Sequence, residues 1–129
     1  MKYIILIPIY NDRESLKLLI ENINNVIKEI NHEISIVVIN DASSQQIIDN
    51  YPNIENISSL EIINMKENKG HARCIATGLR YLVNNEKFDF VILMDGDGED
   101  RPEEIKYLIS KAAIQDNISV VAKRVKRSE

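Results

Sequence analysis

Residues 3–9, YIILIPI, form the apolar run that decides the class of fold. The run is too short for an ordinary helix and is rich in β-branched side chains, which predicts a buried strand. Residues 33–40, EISIVVIN, repeat this signature, and similar segments occur at 59–65, 88–94 and 118–122. The sequence therefore predicts five strands.

Helical patterns separate these strands. Apolar residues at helical spacing predict a first helix that begins near Asp12 and carries core side chains from Leu16 to Ile30. Asn11 and Glu14 stand three residues apart, the spacing that is typical of a capping pair at the start of a helix. We therefore expect this pair to cap the first helix.

Three further helices are predicted. A short helix passes through Ile47 and Ile48, one begins at Gly70, and one has Pro102 in its first turn. Strands that alternate with helices imply crossover connections and a mostly parallel sheet. We expect an α/β fold, a doubly wound sheet with helices on both faces, in one domain that covers residues 1–129.

Composition excludes several classes of protein. A formal net charge of -4 gives no electrostatic reason to expect a nucleic-acid partner. No segment reaches the roughly 18 consecutive apolar residues of a membrane span. The single cysteine, Cys74, cannot form an internal disulfide and fits a reducing cytoplasm, where we interpret it as a small core residue.

Polar residues follow three of the predicted strands. Residues 10–12, YND, follow the first strand, Asn40 and Asp41 end the second, and residues 95–97, DGD, follow the fourth. Ligands of doubly wound sheets bind beyond the carboxyl ends of the strands. We expect these residues to gather at one edge and to form the functional site.

The segment 95–100, DGDGED, holds four carboxylates within six residues. Like charges at this density repel unless solvent screens them on an exposed turn or a cation lies among them. Asp95 and Asp97 could present oxygens to Mg²⁺ or Mn²⁺, which would neutralise a departing diphosphate. The residues alone leave the solvated turn and the metal site both open.

Rival sites fit less well. A calcium-binding EF-hand loop that began at Asp95 would have Asp100 where glycine is required and Lys106 where glutamate is required. An aspartyl-phosphate phosphatase would have Thr or Val in place of Glu99. The chain also lacks G-x-G-x-x-G after the first strand and any G-x-x-x-x-G-K-[ST], so a nicotinamide enzyme or a P-loop enzyme would lack its binding element.

Four motifs resemble one known family. They are IPIYNDRESL, VVINDASS, NKGHARCIATGL and VILMDGDGEDRPEEI, at residues 7–16, 37–44, 68–79 and 91–105. Their order and spacing resemble the family 2 glycosyltransferases of the GT-A fold over essentially the whole chain. MDGDGEDRPEEI is most similar to the polyprenol-phosphate sugar transferase branch.

The resemblance implies donor-binding roles for the first two motifs. Pro8, Tyr10 and Asp12 would frame the nucleotide base and ribose, with Asp12 in place of the more usual glutamate. Asp41 would hydrogen-bond the base. The residues themselves leave plainer roles open, because Tyr10 could be a strand-end aromatic, Asn11 a helix cap and Asp41 the closure of an Asx turn.

The last motif would carry the diphosphate and the metal. By resemblance, Asp95 and Gly96 contact ribose and diphosphate, and Asp97 binds the cation. Asp95 and Glu99 would bind the cation together with Asp97, and Arg124 would face a phosphate group. No catalytic base is identified.

The resemblance implies transfer, with inversion, of a sugar from a UDP- or GDP-sugar to a polyprenyl phosphate or a glycan. The alternatives are a nucleotide-sugar-binding module without transferase activity and a metal-dependent phosphatase that uses Asp95 covalently. Because the motifs end at Arg124, we expect a truncated donor-binding part that is inactive or weak alone. We expect the full protein in the cytoplasm, at the inner face of the cell membrane.

Overall fold

The computed structural model of the protein describes residues 1–44, 51, 54–94, 102–114 and 120–122. Within these residues lie five strands and three helices. In chain order they are β1 (Lys2–Ile9), α1 (Arg13–Ile27), β2 (Glu33–Asn40), β3 (Ser59–Asn64), α2 (His71–Asn85), β4 (Phe90–Leu93), α3 (Glu104–Ile114) and β5 (Val120–Ala122). The five predicted strands are confirmed. The predicted helix through Ile47 and Ile48 lies outside the described residues.

The strands form one parallel sheet in the order β3-β2-β1-β4-β5. β1 pairs with β2 from Lys2 to Ile9 on one side and with β4 from Tyr3 to Leu6 on the other. The strand nearest the amino terminus is therefore the middle strand. This arrangement confirms the predicted doubly wound α/β fold.

Helices cover both faces of the sheet, which explains why YIILIPI shows no alternation of apolar and polar residues. Side chains of a strand alternate between the two faces. Tyr3, Ile5 and Ile7 pack with apolar residues of α1 and α3, whereas Ile4 and Leu6 pack with apolar residues of α2. Each face therefore needs its own apolar set.

Pro8 is buried inside the middle strand, although proline cannot donate a backbone hydrogen bond. Backbone groups of β1 point alternately to its two neighbours. The Ile9 carbonyl accepts from the Asp41 amide on the β2 side, and the Leu6 carbonyl accepts from the Met94 amide on the β4 side. By this alternation the backbone of Pro8 faces β4. Pro8 lies beyond Leu6, the last residue of β1 that is paired with β4, so its missing N–H removes no hydrogen bond between these two strands.

The start of α1 differs from the prediction. Asp12 occupies the cap position, and no side chain caps the helix. The expected pair of Asn11 and Glu14 is wrong because the Asn11 amide oxygen instead accepts hydrogen bonds from Ser44. The helix ends at Ile27, so Ile30 lies beyond it but still packs against the core.

The start of α3 also differs. The helix begins at Glu104, so Pro102 precedes it and does not occupy its first turn. A turn that leads into the helix holds Pro102, whose carbonyl accepts from the Ile105 amide at 2.9 Å. Proline suits this position because its own missing N–H would have no helical partner there.

Gly78 allows close packing of α2 on the sheet. A Cβ at this position would lie 2.8 Å from Ile39 Cγ1 and 3.0 Å from Leu6 Cδ1. We expect Gly78→Ala to lower the free energy of unfolding by about 1–3 kcal/mol, because the helix or the two side chains must shift. Urea unfolding measures the effect. Asn84→Ala, an exposed change on the same helix, is the control and should stay within about 0.5 kcal/mol; equal stabilities of the two variants would contradict the close packing.

Candidate functional site

Reciprocal hydrogen bonds join the loops that follow β1 and β2. The Asn11 amide N–H donates to Ser43 Oγ at 2.8 Å. Asn11 Oδ1 accepts from the Ser44 amide at 2.7 Å and from the Ser44 hydroxyl at 3.1 Å. We call this group, formed by Asn11, Ser43 and Ser44, the inter-loop latch. It fixes the end of β1 relative to the end of β2.

The latch requires unusual backbone conformations. Asn11 has φ 53° and Ala42 has φ 59°, both in the left-handed region. Asparagine tolerates this region better than most residues do, whereas alanine adopts it at a cost of about 1–2 kcal/mol. Asn40 supports the same loop, because its side chain accepts from the Ser43 amide at 3.1 Å and donates to Asn64 Oδ1 at 2.9 Å. The ends of β1, β2 and β3 are therefore linked.

Asp41 connects this edge to the start of α2. One carboxylate oxygen accepts from the Lys69 amide at 2.9 Å, and the other accepts from the Gly70 amide at 3.1 Å. Gly70 precedes the helix with φ 90°, a conformation that glycine adopts without strain. Asp41 is 4% exposed, and these amides supply the donors that a buried carboxylate needs. Asp41 therefore links the end of β2 to the backbone that precedes α2. The Asx-turn alternative, a local contact, did not include this role.

The other predicted residues of the first strand differ in accessibility. The Tyr10 side chain is 52% exposed at the end of β1. Asp12 is half-buried, and its carbonyl accepts the Leu16 amide at 3.1 Å. Pro8 lies two residues inside the strand and is buried. The edge thus presents Tyr10 and part of Asp12 to a ligand, whereas Pro8 can act only by shaping the strand.

The predicted diphosphate and metal residues lie outside the described residues. They are Asp95, Gly96, Asp97, Glu99 and Arg124. Among the residues that are described, no three side chains of His, Cys, Asp or Glu are grouped as metal ligands. The Met94 amide bonds to the Leu6 carbonyl at 3.0 Å, so the chain enters the acidic segment at the carboxyl edge of the sheet. Carboxylate oxygens in that segment have the donor chemistry that Mg²⁺ and Mn²⁺ require.

Cys74 lies beneath this edge and is not a plausible nucleophile. Its thiol is buried and donates to the Ile39 carbonyl at 3.6 Å. Burial, together with the negative charge of Asp41, raises the pKa of Cys74 from 9.0 to about 11. The thiol therefore stays protonated at neutral pH, which agrees with its interpretation as a core residue.

The sequence analysis missed some of the residues that build this edge. Asn11 and Asn40 were expected at the edge, but Asn11 was also interpreted as a helix cap, and their partners Ser43, Ser44 and Asn64 were not assigned to the site. A usable signal was present. Two neighbouring parallel strands each end in a run of short polar side chains, and such runs can satisfy one another when the strand ends meet.

Comparison with known proteins identifies the family. Residues 4–129 match the family described as Glycosyl transferase family 2. The chain belongs to this family. The site described above therefore lies at the sheet edge of a family 2 glycosyltransferase chain, as the four sequence motifs implied.

Curated members of the family carry related names. An undecaprenyl-phosphate 4-deoxy-4-formamido-L-arabinose transferase of Proteus mirabilis is 31% identical over 126 residues, which cover 95% of this chain and 36% of that protein. A dolichol-phosphate mannosyltransferase of Pyrococcus furiosus is 28% identical over 126 residues, with 98% and 34% covered. The chain spans about a third of the length of these relatives. No helix among its described residues has the length and apolar character of a membrane crossing.

The inter-loop latch of this glycosyltransferase chain predicts a graded series of stabilities. Asn11→Ala should lower the free energy of unfolding by about 2 kcal/mol, because it removes the acceptor of Ser44 and places alanine at φ 53°. Asn11→Gly should cost less because glycine tolerates that backbone, and Asn11→Asp should cost least because it keeps an acceptor oxygen. Urea unfolding measures the series. An alanine variant as stable as the native protein would show that the latch does not hold the loops.

The pKa of Cys74 predicts slow alkylation. At about pH 8 iodoacetamide should modify the folded protein far more slowly than the urea-unfolded protein, because the thiolate is the nucleophile. Asp41→Asn removes a charge that raises the pKa, so the midpoint of the rate-against-pH curve should move below about 11. Asp89→Asn is the control, because it removes the negative charge of the carboxylate that accepts the Lys2 amide at the opposite edge of the sheet, and it should leave the midpoint unchanged. Coincident curves for Asp41→Asn and the native protein would remove Asp41 as a cause.

Proposed function

We propose that the chain binds a nucleotide-sugar donor within an inverting, metal-assisted glycosyltransferase whose acceptor is a polyprenyl phosphate. The observation that carries the proposal is the family match over residues 4–129, together with the relatives named as transferases acting on undecaprenyl phosphate or dolichol phosphate. The sheet edge supports it, because polar groups from three loops gather where ligands of such sheets bind.

The nucleotide of a UDP- or GDP-sugar would lie against the ends of β1 and β2. The exposed ring of Tyr10 offers an apolar face to the base. Each Asp41 oxygen accepts one backbone amide and keeps a second lone pair, which could accept a base N–H. Asp12, half-buried at the start of α1, would face the ribose. The latch would hold Tyr10 and Asp41 at a fixed separation.

The diphosphate would lie beyond β4. Asp95 and Gly96 would contact it, and Arg124 would face a phosphate. Mg²⁺ or Mn²⁺ held by Asp95, Asp97 and Glu99 would supply neutralising charge for the departing nucleoside diphosphate. The fit rests on the donor chemistry of these carboxylates and on the position of Met94 at the carboxyl edge.

A phosphate acceptor suits the described part of the chain. Its oxygen is already anionic, so a bond to the anomeric carbon can form, as the bond to the diphosphate oxygen breaks, without removal of a proton. Attack from the opposite face inverts the configuration. A glycan hydroxyl would need a general base, and no carboxylate among the described residues is identified for that role. Polyprenyl phosphate is therefore the acceptor that we favour over a glycan.

Efficient sugar transfer would require further segments, in a protein as long as the relatives. The chain spans about a third of their length, and the acceptor side contributes both positioning and exclusion of water. We therefore propose that this chain alone binds donor but transfers sugar weakly. The whole protein would act in the cytoplasm at the inner face of the cell membrane, in assembly of the cell envelope.

Calorimetry with UDP, GDP and other nucleoside diphosphates tests the donor site. We expect one of them to bind in Mg²⁺ or Mn²⁺ and to bind about tenfold or more weakly after chelation, because a lost charged contact costs about 1.5–3 kcal/mol. Asp97→Ala should remove most of this metal dependence. Glu55→Ala, an exposed change that removes the same charge, is the matched control and should bind as the native chain does.

Two results would contradict the proposal. Equal affinity with and without metal would exclude the cation, and no affinity for any nucleoside diphosphate would exclude donor binding. Transfer is then tested with two proteins, the chain alone and a version extended by the downstream coding sequence. Each is incubated with sugar nucleotides and either polyprenyl phosphate or glycan acceptors. Turnover of the chain alone equal to that of the extended protein would contradict the proposal that this part transfers weakly.

A further inference from the structure

A basic groove lies on the outer side of α2, beside the end of β3. It has a volume of about 270 Å³ and is lined by Met65, Lys69, Arg73, Ala76, Thr77 and Arg80. Half of these side chains are cationic and none is acidic, although acidic residues outnumber basic ones 20 to 16 in the whole chain. The local charge therefore has the opposite sign to the net charge. We call this feature the α2 groove.

The cations of the α2 groove are incompletely neutralised. Lys69 pairs with Glu67 at 3.2 Å, and both side chains are substantially exposed. Within the described part of the chain, neither Arg73 nor Arg80 forms an ion pair. The arginines lie seven residues apart, or roughly 10 Å along the helix axis, and Thr77 lies between them. Their long side chains can thus reach a common ligand above Thr77.

Helix stability does not account for this arrangement. Lys69 precedes the helix and Arg73 lies in its first turn, where positive charge opposes the helix dipole. No acidic residue stands in that turn to offset the charge. An anion bound in the groove would offset it. Arg73 therefore destabilises the start of the unliganded helix, and a bound anion would remove this unfavourable interaction.

We propose that the α2 groove is a binding site for a phosphate or diphosphate group, separate from the donor site. Guanidinium groups match phosphate oxygens with paired hydrogen bonds, and the Thr77 hydroxyl adds a further donor. The volume lies below the roughly 300–1,000 Å³ of sites for drug-sized ligands, so it favours a small anionic group. The small side chain of Ala76 leaves this space open. The group could belong to a soluble phosphate compound or to a lipid headgroup.

The groove and the donor edge share one loop but use different atoms. The Lys69 backbone amide donates to Asp41, whereas the Lys69 side chain lines the groove. The proposed anion site needs neither the metal nor the nucleotide. A binding test in the presence of a chelator therefore examines the α2 groove alone. A negative result there would contradict the anion site without contradicting the proposed donor site.

Titration of the full chain with pyrophosphate in chelator, followed by NMR of backbone amides and arginine side chains, tests the site. We expect shifts centred on Arg73, Thr77 and Arg80, with affinity that falls as salt rises. The double variant Arg73→Gln/Arg80→Gln should bind at least about tenfold more weakly, since it loses two charged contacts. Its thermal unfolding midpoint should not fall, because neither arginine forms an ion pair in the described structure.

Lys17→Gln/Lys28→Gln is the matched control, because it removes two exposed positive charges from α1 and its flank. It should keep the affinity for pyrophosphate. Co-sedimentation with phosphatidylcholine vesicles, with and without phosphatidylglycerol, forms the second arm. Binding to the anionic vesicles that only the groove variant loses would assign the site to a lipid headgroup, whereas pyrophosphate binding alone would assign it to a soluble ligand. Equal losses in the two double variants, or no binding in either arm, would overturn the proposal.

Discussion

The buried carboxylate of Asp41 is the constraint on which the arrangement of the edge depends. An ionised group at 4% exposure must receive hydrogen bonds, and the donors come from backbone at Lys69 and Gly70. Those amides immediately precede α2, the helix that carries the chain from β3 at one side of the sheet to β4 beside β1. The need to satisfy one carboxylate thus sets where the crossover that passes β2 and β1 starts. It also keeps Lys69 between the donor edge and the α2 groove.

The same principle holds for the neutral polar groups at this edge. Asn11, Ser43 and Ser44 satisfy one another across two loops, and Asn40 and Asn64 do so across two strand ends. A ligand that approaches such an edge meets loops whose positions are already fixed, so less conformational entropy has to be lost on binding. The exposed ring of Tyr10 is then the main aromatic surface at the end of β1.

Sequence patterns predicted the sheet well because burial on both faces leaves a continuous apolar run, as in residues 3–9, that needs no knowledge of distant contacts. They failed at Asn11, where a local capping pattern competed with a bond to Ser44, 33 residues away. The same reason explains why the partners of Asp41 were not foreseen. Those contacts lie 28 and 29 residues along the chain, and only the folded topology brings them together. Local patterns indicated which edge would be functional but not how its polar groups would pair.

The central position of β1 also has a consequence for biosynthesis. Its first residues leave the ribosome before every other strand, yet Tyr3 pairs with Phe90 and Ile4 with Val91. β2 can cover one side of β1 early, but the other side stays unpaired until β4, which lies far downstream at Phe90–Leu93, has been made. During that interval a highly apolar strand presents an open edge, which is a template for intermolecular pairing. Newly made chains of this protein should therefore depend on chaperones or on slow translation far more than the compact folded state would imply.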